Sequence, residues 1–302
     1  MGAGALGRRS LIAHLDREPE GRHDVTRAGP ELDPDVRQAV AGAPGYVVGR
    51  IPKERRPVLD RLAGASRRFQ VHALTELDVT DAAARIRDSE PRVSWTGFVL
   101  ATLARAVALH PEVNARRAGN RILAFQRVDV GATVERHWEG RTVLDVVGIH
   151  DADRMSCAAI SELLHGAKYG PGASHRPGGV AAWLVRLPGP LRRTAFRMAA
   201  TSPRVSATLG PAIGVTSIGM FSGTWGWAVP LAPLTVIATV GAVMDRPAVR
   251  DGRIVIRSML PVTLSFDHAV IDGAPAARFT ETLRELIETA AVFEDLAAPA
   301  DR

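Results

Sequence analysis

Cysteine is almost missing from this chain: Cys157 stands alone among 302 residues. A lone thiol excludes an internal disulfide and any multi-cysteine metal site. Its setting, MSCAAISELL, is an alanine-rich helical pattern that predicts a small buried apolar residue. Aromatic residues are scarce too, at 5%. No run of about 18 uncharged apolar residues exists to cross a bilayer, and the start, MGAGALGRRS, lacks the apolar core of a signal peptide. A cytoplasmic, reducing setting is therefore expected. Blocks of like charge are also missing. The net charge is +6, but acids and bases interleave, so nucleic acid is not an expected partner, whereas a phosphate-bearing small ligand suits such a surface. No P-loop and no G-x-S-x-G elbow occurs, which removes support for nucleoside-triphosphate enzymes and serine hydrolases. His137, His165 and His175 lack metal-ligand spacing, and no metal site is expected.

What is there reads as a globular protein with a sizeable core, 46% hydrophobic and 23% charged. Residues 1–45, rich in Gly, Pro, Arg and Asp, predict an extended or partly disordered arm ahead of a domain over 46–302. VHALTELDVT (71–80) alternates as a strand, and Thr80 or Asp81 can cap a short helix that ends before Pro91. Ser94 opens a helix, WTGFVLATLARAVALH, whose apolar positions cover most of its circumference, so it is predicted to be buried. ILAFQRVDVGATVE (122–135) and RTVLDVVGIH (141–150) predict two strands, and ADRMSCAAISELLHGAK returns to helical period. Residues 170–208 break the pattern. Pro188 and Pro190 interrupt a basic, semi-apolar stretch that reads as an insert packed on the domain. The alternative is a surface element at 181–197 touching a membrane through Trp183, Leu184 and the Arg192–Arg193 pair. AIGVTSIGM, PLTVIATVGAVM and GRIVIRSMLPVTLSFDH predict strands, with Arg250–Asp251–Gly252 as a tight hairpin turn, and a helix follows from Ala274 to Ala291. Interspersed helices and strands without regular alternation predict an α/β protein built on a mixed sheet.

One stretch carries chemistry. In VTLSFDH, which leads into LSFDHAVIDGAPAARF (264–279), Val262, Leu264, Phe266 and His268 share a strand face, and Thr263, Ser265 and Asp267 share the other. Singly, His268 extends an apolar face and Asp272 stands where a helix N-cap would. Together, H-x-x-x-D-G at a strand end resembles the signature of coenzyme A-dependent acyltransferases. The flanking residues resemble the catalytic domain of the dihydrolipoyl acyltransferase component of 2-oxoacid dehydrogenase complexes. ALTELDVT, ALHPEVNAR, IHDADRMS and RPAVRDGRIVIRSMLPVTLSFDH resemble the corresponding family segments in the same order, covering about residues 50–168 and 209–290.

The resemblance implies a chloramphenicol acetyltransferase-like fold and transfer of an acyl group between coenzyme A and the thiol of dihydrolipoamide. It implies His268 as general base, since an imidazole near pKa 6.5 can take a thiol proton and return it. It implies Thr216, with Ser217 as its neighbour, as hydroxyl donor to the oxyanion. Asp272 is implied to brace the site through an arginine, Arg55 or Arg56, with Arg50 in a neighbouring register. Family members form trimers with the histidine from one chain and the hydroxyl from the next, so a homotrimer or larger assembly is implied. The sequence departs from the pattern at Ala269, where the family carries arginine. It also shows no lipoyl or subunit-binding domain, which implies a stand-alone core whose lipoyl group, if used, is carried by another protein. The alternatives are transfer to a small-molecule hydroxyl or amine, and an inactive oligomeric scaffold.

Overall fold

The structure, a computed structural model, describes residues 56–138, 141–169, 188–219, 223 and 225–294. The expected arm at 1–45 and the first part of the expected insert, 170–187, lie outside the described residues. Helix α1 (Arg56–Ala65) leads to strand β1 (Gln70–Asp78) and helices α2 (Thr80–Arg87) and α3 (Trp95–Leu109). Strands β2 (Ala115–Ala118) and β3 (Arg121–Ala124) form a separate two-stranded ribbon. Then come β4 (Val130–Trp138), β5 (Arg141–Ile149) and helices α4 (Cys157–Tyr169), α5 (Gly189–Thr201) and α6 (Pro203–Ser206). Strands β6 (Ile213–Ser217), β7 (Val236–Val240), β8 (Met244–Arg250) and β9 (Arg253–Asp267) precede helix α7 (Gly273–Glu288).

The main sheet runs β1-β9-β7-β6-β4-β5, with β8 paired to the outer half of β9. Pairs β7–β6 and β6–β4 are parallel and the rest antiparallel, so the sheet is mixed. Its long member is β9. The hairpin joining β8 to β9 turns on Asp251 and Gly252, with φ of 50° and 73°, the left-handed pair that a tight two-residue turn requires. Helix α3 starts where Ser94 accepts the Gly97 N–H, and ten of its 15 residues are buried. A Cβ on Gly97 would stand 2.1 Å from the Ser161 hydroxyl, so glycine there lets α3 and α4 pack closely. On the inner face of β9, Phe266 meets Phe279 of α7 edge-on at 5.9 Å. Leu283 and Ile287 continue that buried stripe, as the helical period predicts.

Several expectations shift. Neither Thr80 nor Asp81 caps α2. Val79 occupies the cap position, and the Asp78 carboxylate accepts both the N–H and the hydroxyl of Thr80. The strand expected over 122–135 breaks at 125–129, where the Asn114 amide donates to the carbonyls of Phe125 and Arg127 and turns the chain. Pro188 and Pro190 do not interrupt a helix. They stand just before and at the second residue of α5, where a missing N–H costs nothing. Arg192, which the membrane alternative would place on the surface, is buried against Asp60 at 2.5 Å. Trp183 and Leu184 lie outside the described residues. No helix among the described residues is long and apolar enough to cross a membrane.

Candidate active site

Every feature of the site grows from the inner end of β9. Its last nine residues, Met259–Asp267, are buried on both faces. The alternation of the sequence therefore separates two interiors, not core from solvent. Val262, Leu264 and Phe266 join the apolar core, and Thr263, Ser265 and Asp267 are equally hidden on the other side. Strand β1 covers that end in antiparallel register, with Gln70 opposite Asp267 and His72 opposite Ser265. The His72 Nδ1 lies 2.8 Å from the Ser265 hydroxyl.

His268 is the first residue past the strand. Its N–H donates to the Phe69 carbonyl at 2.7 Å. Its ring is 44% exposed, and Nδ1 lies 3.9 Å from the Asp272 carboxylate, within reach of an ion pair but too far for a hydrogen bond. A cavity of about 420 Å³, lined by Phe69, Gln70, Val71, His268 and Ala269, opens beside the ring. Asp272 sits at the N-cap of α7, but its carboxylate makes no capping hydrogen bond and is 86% exposed. Arg50 and Arg55 lie outside the described residues, and Arg56 is described by its helix alone. Among the described residues, His268 is the ion-pair partner in reach of Asp272.

Thr216 is elsewhere. It pairs in register with Thr239 of β7, which pairs with Thr263 of β9. Thr263 precedes His268 by five residues and Thr216 stands two strands over. The hydroxyl and the imidazole of one chain are thus separated by about 16 Å along the sheet and about 10 Å across it. One chain does not bring them together. The Thr239 and Thr263 hydroxyls on this row are buried without a hydrogen-bond partner.

Two arginines near the site had no signal beyond an arginine-rich composition. Arg68 donates to the fully buried Asp267 carboxylate at 2.5 Å, and the other oxygen of Asp267 accepts the Ala269 N–H at 3.2 Å. Arg116 is buried and donates to the carbonyls of Ser206, Gly210 and Pro211, just ahead of β6. Burial, and next the charge of Arg68, push its guanidinium down to about 10. A larger groove of about 510 Å³, lined by residues including Arg85, Asp88, Glu90 and Cys157, does not include His268. Cys157 is buried and its thiol is pushed up to about 11, chiefly by desolvation, which leaves it protonated near neutrality. His165 packs its ring on Tyr169, and His137 lies on β4. His175 lies outside the described residues. No group of three metal-ligating side chains occurs among the described residues.

Known proteins resemble this arrangement. The family described as 2-oxoacid dehydrogenases acyltransferase (catalytic domain) matches residues 189–293, a stretch that includes α5 and α6. The lipoamide acyltransferase component of the branched-chain alpha-keto acid dehydrogenase complex of Pseudomonas putida is 40% identical over 79 residues, 26% of this chain and 19% of that one. The dihydrolipoyllysine-residue succinyltransferase component of the 2-oxoglutarate dehydrogenase complex of Haemophilus influenzae is 25% identical over 198 residues, 65% of this chain and 41% of that one. The chain thus spans about two fifths or less of these relatives. The dihydrolipoamide acetyltransferase of Azotobacter vinelandii superposes with a TM-score of 0.62 at 21% identity, covering 82% of this chain and 95% of that one. Its structure was studied for the roles of a serine, a histidine and an asparagine in the catalytic mechanism. The likeness shows the fold alone, shared over most of both chains.

Proposed function

We infer that this chain, whose residues 189–293 belong to the acyltransferase catalytic-domain family of the 2-oxoacid dehydrogenases, is a coenzyme A-dependent acyltransferase with His268 as its general base. The observation that carries the reading is His268 itself, half-exposed at the mouth of a cavity on a main chain tied to β1. Spacing supports it. In the Azotobacter protein the named serine precedes the named histidine by 52 positions and the asparagine follows it by four, the separations of Thr216 and Asp272 from His268 here.

The reaction needs a proton removed and a charge held. The acceptor thiol, with a pKa near 8.5 when free, is mostly protonated at neutral pH. With Nδ1 turned toward Asp272, the opposite ring nitrogen of His268 takes the thiol proton as sulfur attacks the acyl carbonyl. The carbonyl oxygen becomes an oxyanion. When the tetrahedral intermediate collapses, the bond to the coenzyme A sulfur breaks and the imidazolium returns its proton to that leaving thiolate. The Thr216 hydroxyl is the oxyanion donor. Because Thr216 is remote from His268 within one chain, it serves the histidine of a neighbouring copy. The working unit is therefore a homo-oligomer, a trimer on the family pattern. The acceptor is dihydrolipoamide carried by another protein. Ala269 favours a second reading, a small-molecule hydroxyl or amine acceptor, because a methyl group lines the cavity where the family pattern has arginine.

The test is acyl transfer from a panel of acyl-coenzyme A donors to free dihydrolipoamide, followed by product mass, with wild type and His268→Ala. Turnover that the substitution removes supports the reading. A folded oligomer that transfers no acyl group to thiol, hydroxyl or amine acceptors overturns it in favour of a scaffold.

A further inference from the structure

We propose that Arg68 is a positioning residue for His268, acting through Asp267. The proposal rests on the reading of His268 as the base and adds a brace that the expected Asp272 contact does not supply. Asp267 has no solvent exposure, and its described partners are two: the Arg68 guanidinium on one carboxylate oxygen and the Ala269 N–H on the other. A carboxylate buried to that extent is costly to leave without partners, so both bonds matter to the fold around it. Both bonds hold the histidine. Ala269 follows His268, and Arg68 precedes Phe69, whose carbonyl receives the His268 N–H at 2.7 Å.

Two adjacent residues on one segment, 68–69, are thus fastened to two adjacent residues on the other, 267–268. One fastening is a side-chain ion pair and the other a main-chain hydrogen bond. Together they fix position and direction at the His268 Cα, which a single bond would leave free to pivot. Arg68 is 15% exposed, so the pair is screened little by salt. The ring, in contrast, hangs from this bracket into the cavity, held on its open side by a 3.9 Å approach to an exposed carboxylate. The precision of the base therefore comes from behind it. A displacement of about 1 Å at such a group costs about 10²-fold in rate.

The experiment uses the full chain carrying Arg68→Met, Arg68→Lys or the pair Arg68→Met with Asp267→Asn. Two quantities are read: the rate at which diethyl pyrocarbonate modifies His268, followed by mass spectrometry of its peptide, and kcat and KM with an acyl-coenzyme A donor. Arg68→Met is expected to raise the modification rate several-fold and to lower kcat by about 10²-fold while KM moves little. Arg68→Lys, which keeps the charge, recovers most of both. Should Arg68→Met fail to fold, the paired variant carries the same expectation, since its carboxamide has no charge to leave unpaired and still accepts the Ala269 N–H. Wild-type His268 reactivity and kcat in folded Arg68→Met, or in the folded pair of substitutions, overturn the proposal. If the wild-type chain transfers no acyl group, the proposed function fails, and the modification rate alone still decides the brace.

Discussion

Strand β9 is two different objects joined end to end. Its outer half, Arg253–Ser258, pairs with β8 in a hairpin whose Ile254 and Ile256 are 79% and 77% exposed. Its inner half, Met259–Asp267, is buried on both faces and runs directly into the candidate base, His268. Packing holds the inner half. Beyond its ladder with β8, the outer half is tied by one carboxylate: Asp78 accepts from Arg250 at 2.8 Å and from Arg257 at 2.7 Å, and so binds both strands of the hairpin to the end of β1. The difference teaches where tolerance to change lies. A strand can be almost indifferent to side-chain loss at one end and intolerant at the other, with no break in its backbone pairing.

Substitutions at each end sharpen that contrast. The largest effect belongs to His268→Ala, which should lower acyl transfer by about 10²–10⁴-fold with little change in melting temperature, because the ring packs against little. Phe266→Ala should cost about 3–5 kcal/mol in denaturant unfolding, through the space left beside Phe279, whereas Ile256→Ala should stay within about 0.5 kcal/mol. Similar costs at the two positions would show that the halves are not distinct.

Asp78→Asn comes next, at about 1–3 kcal/mol at pH 7, and its pH dependence has a definite sign. Burial alone would raise the Asp78 carboxyl, but hydrogen bonds from Arg257, Thr80 and Arg250 outweigh it and hold the group below the usual carboxylate range. A depressed carboxyl stabilises the fold above its unfolded value, near 3.9, and ceases to do so as pH falls through the folded value. The gap between wild type and Asp78→Asn should therefore be full at neutral pH and close in acid. A gap that persists below both values would disprove it. Smallest is Arg85→Ala, which removes an exposed pair with Glu294 and should change stability by about 0–1 kcal/mol.

Much of this was legible in the chain itself. The β8–β9 turn announced itself through Asp251 and Gly252, α3 through Ser94, and α7 through the period of Phe279, Leu283 and Ile287, because each signal is local. The sequence also suggested His268, Asp272 and Thr216 as site residues, but local periods hold no information on strand order. That β6 lies two strands from β9, with Thr216 level with Thr263, needed the sheet. Arg68 escaped for a related reason. In an arginine-rich chain no single guanidinium stands out, and its partner is 199 residues away. Pro188 and Pro190 misled because proline reads as a breaker until the helix is known to begin there.

The pairing of β1 with β9 also sets when the candidate site can exist. The first described strand and the last one are neighbours, and the contact that seats His268 joins opposite ends of the described chain. During synthesis β1 leaves the ribosome long before its partner, and no shortened chain that stops before residue 268 can build the site. Closing so long a loop makes folding slow and late. A chain released before residue 268 is therefore left with β1 unpaired along the positions that face the end of β9.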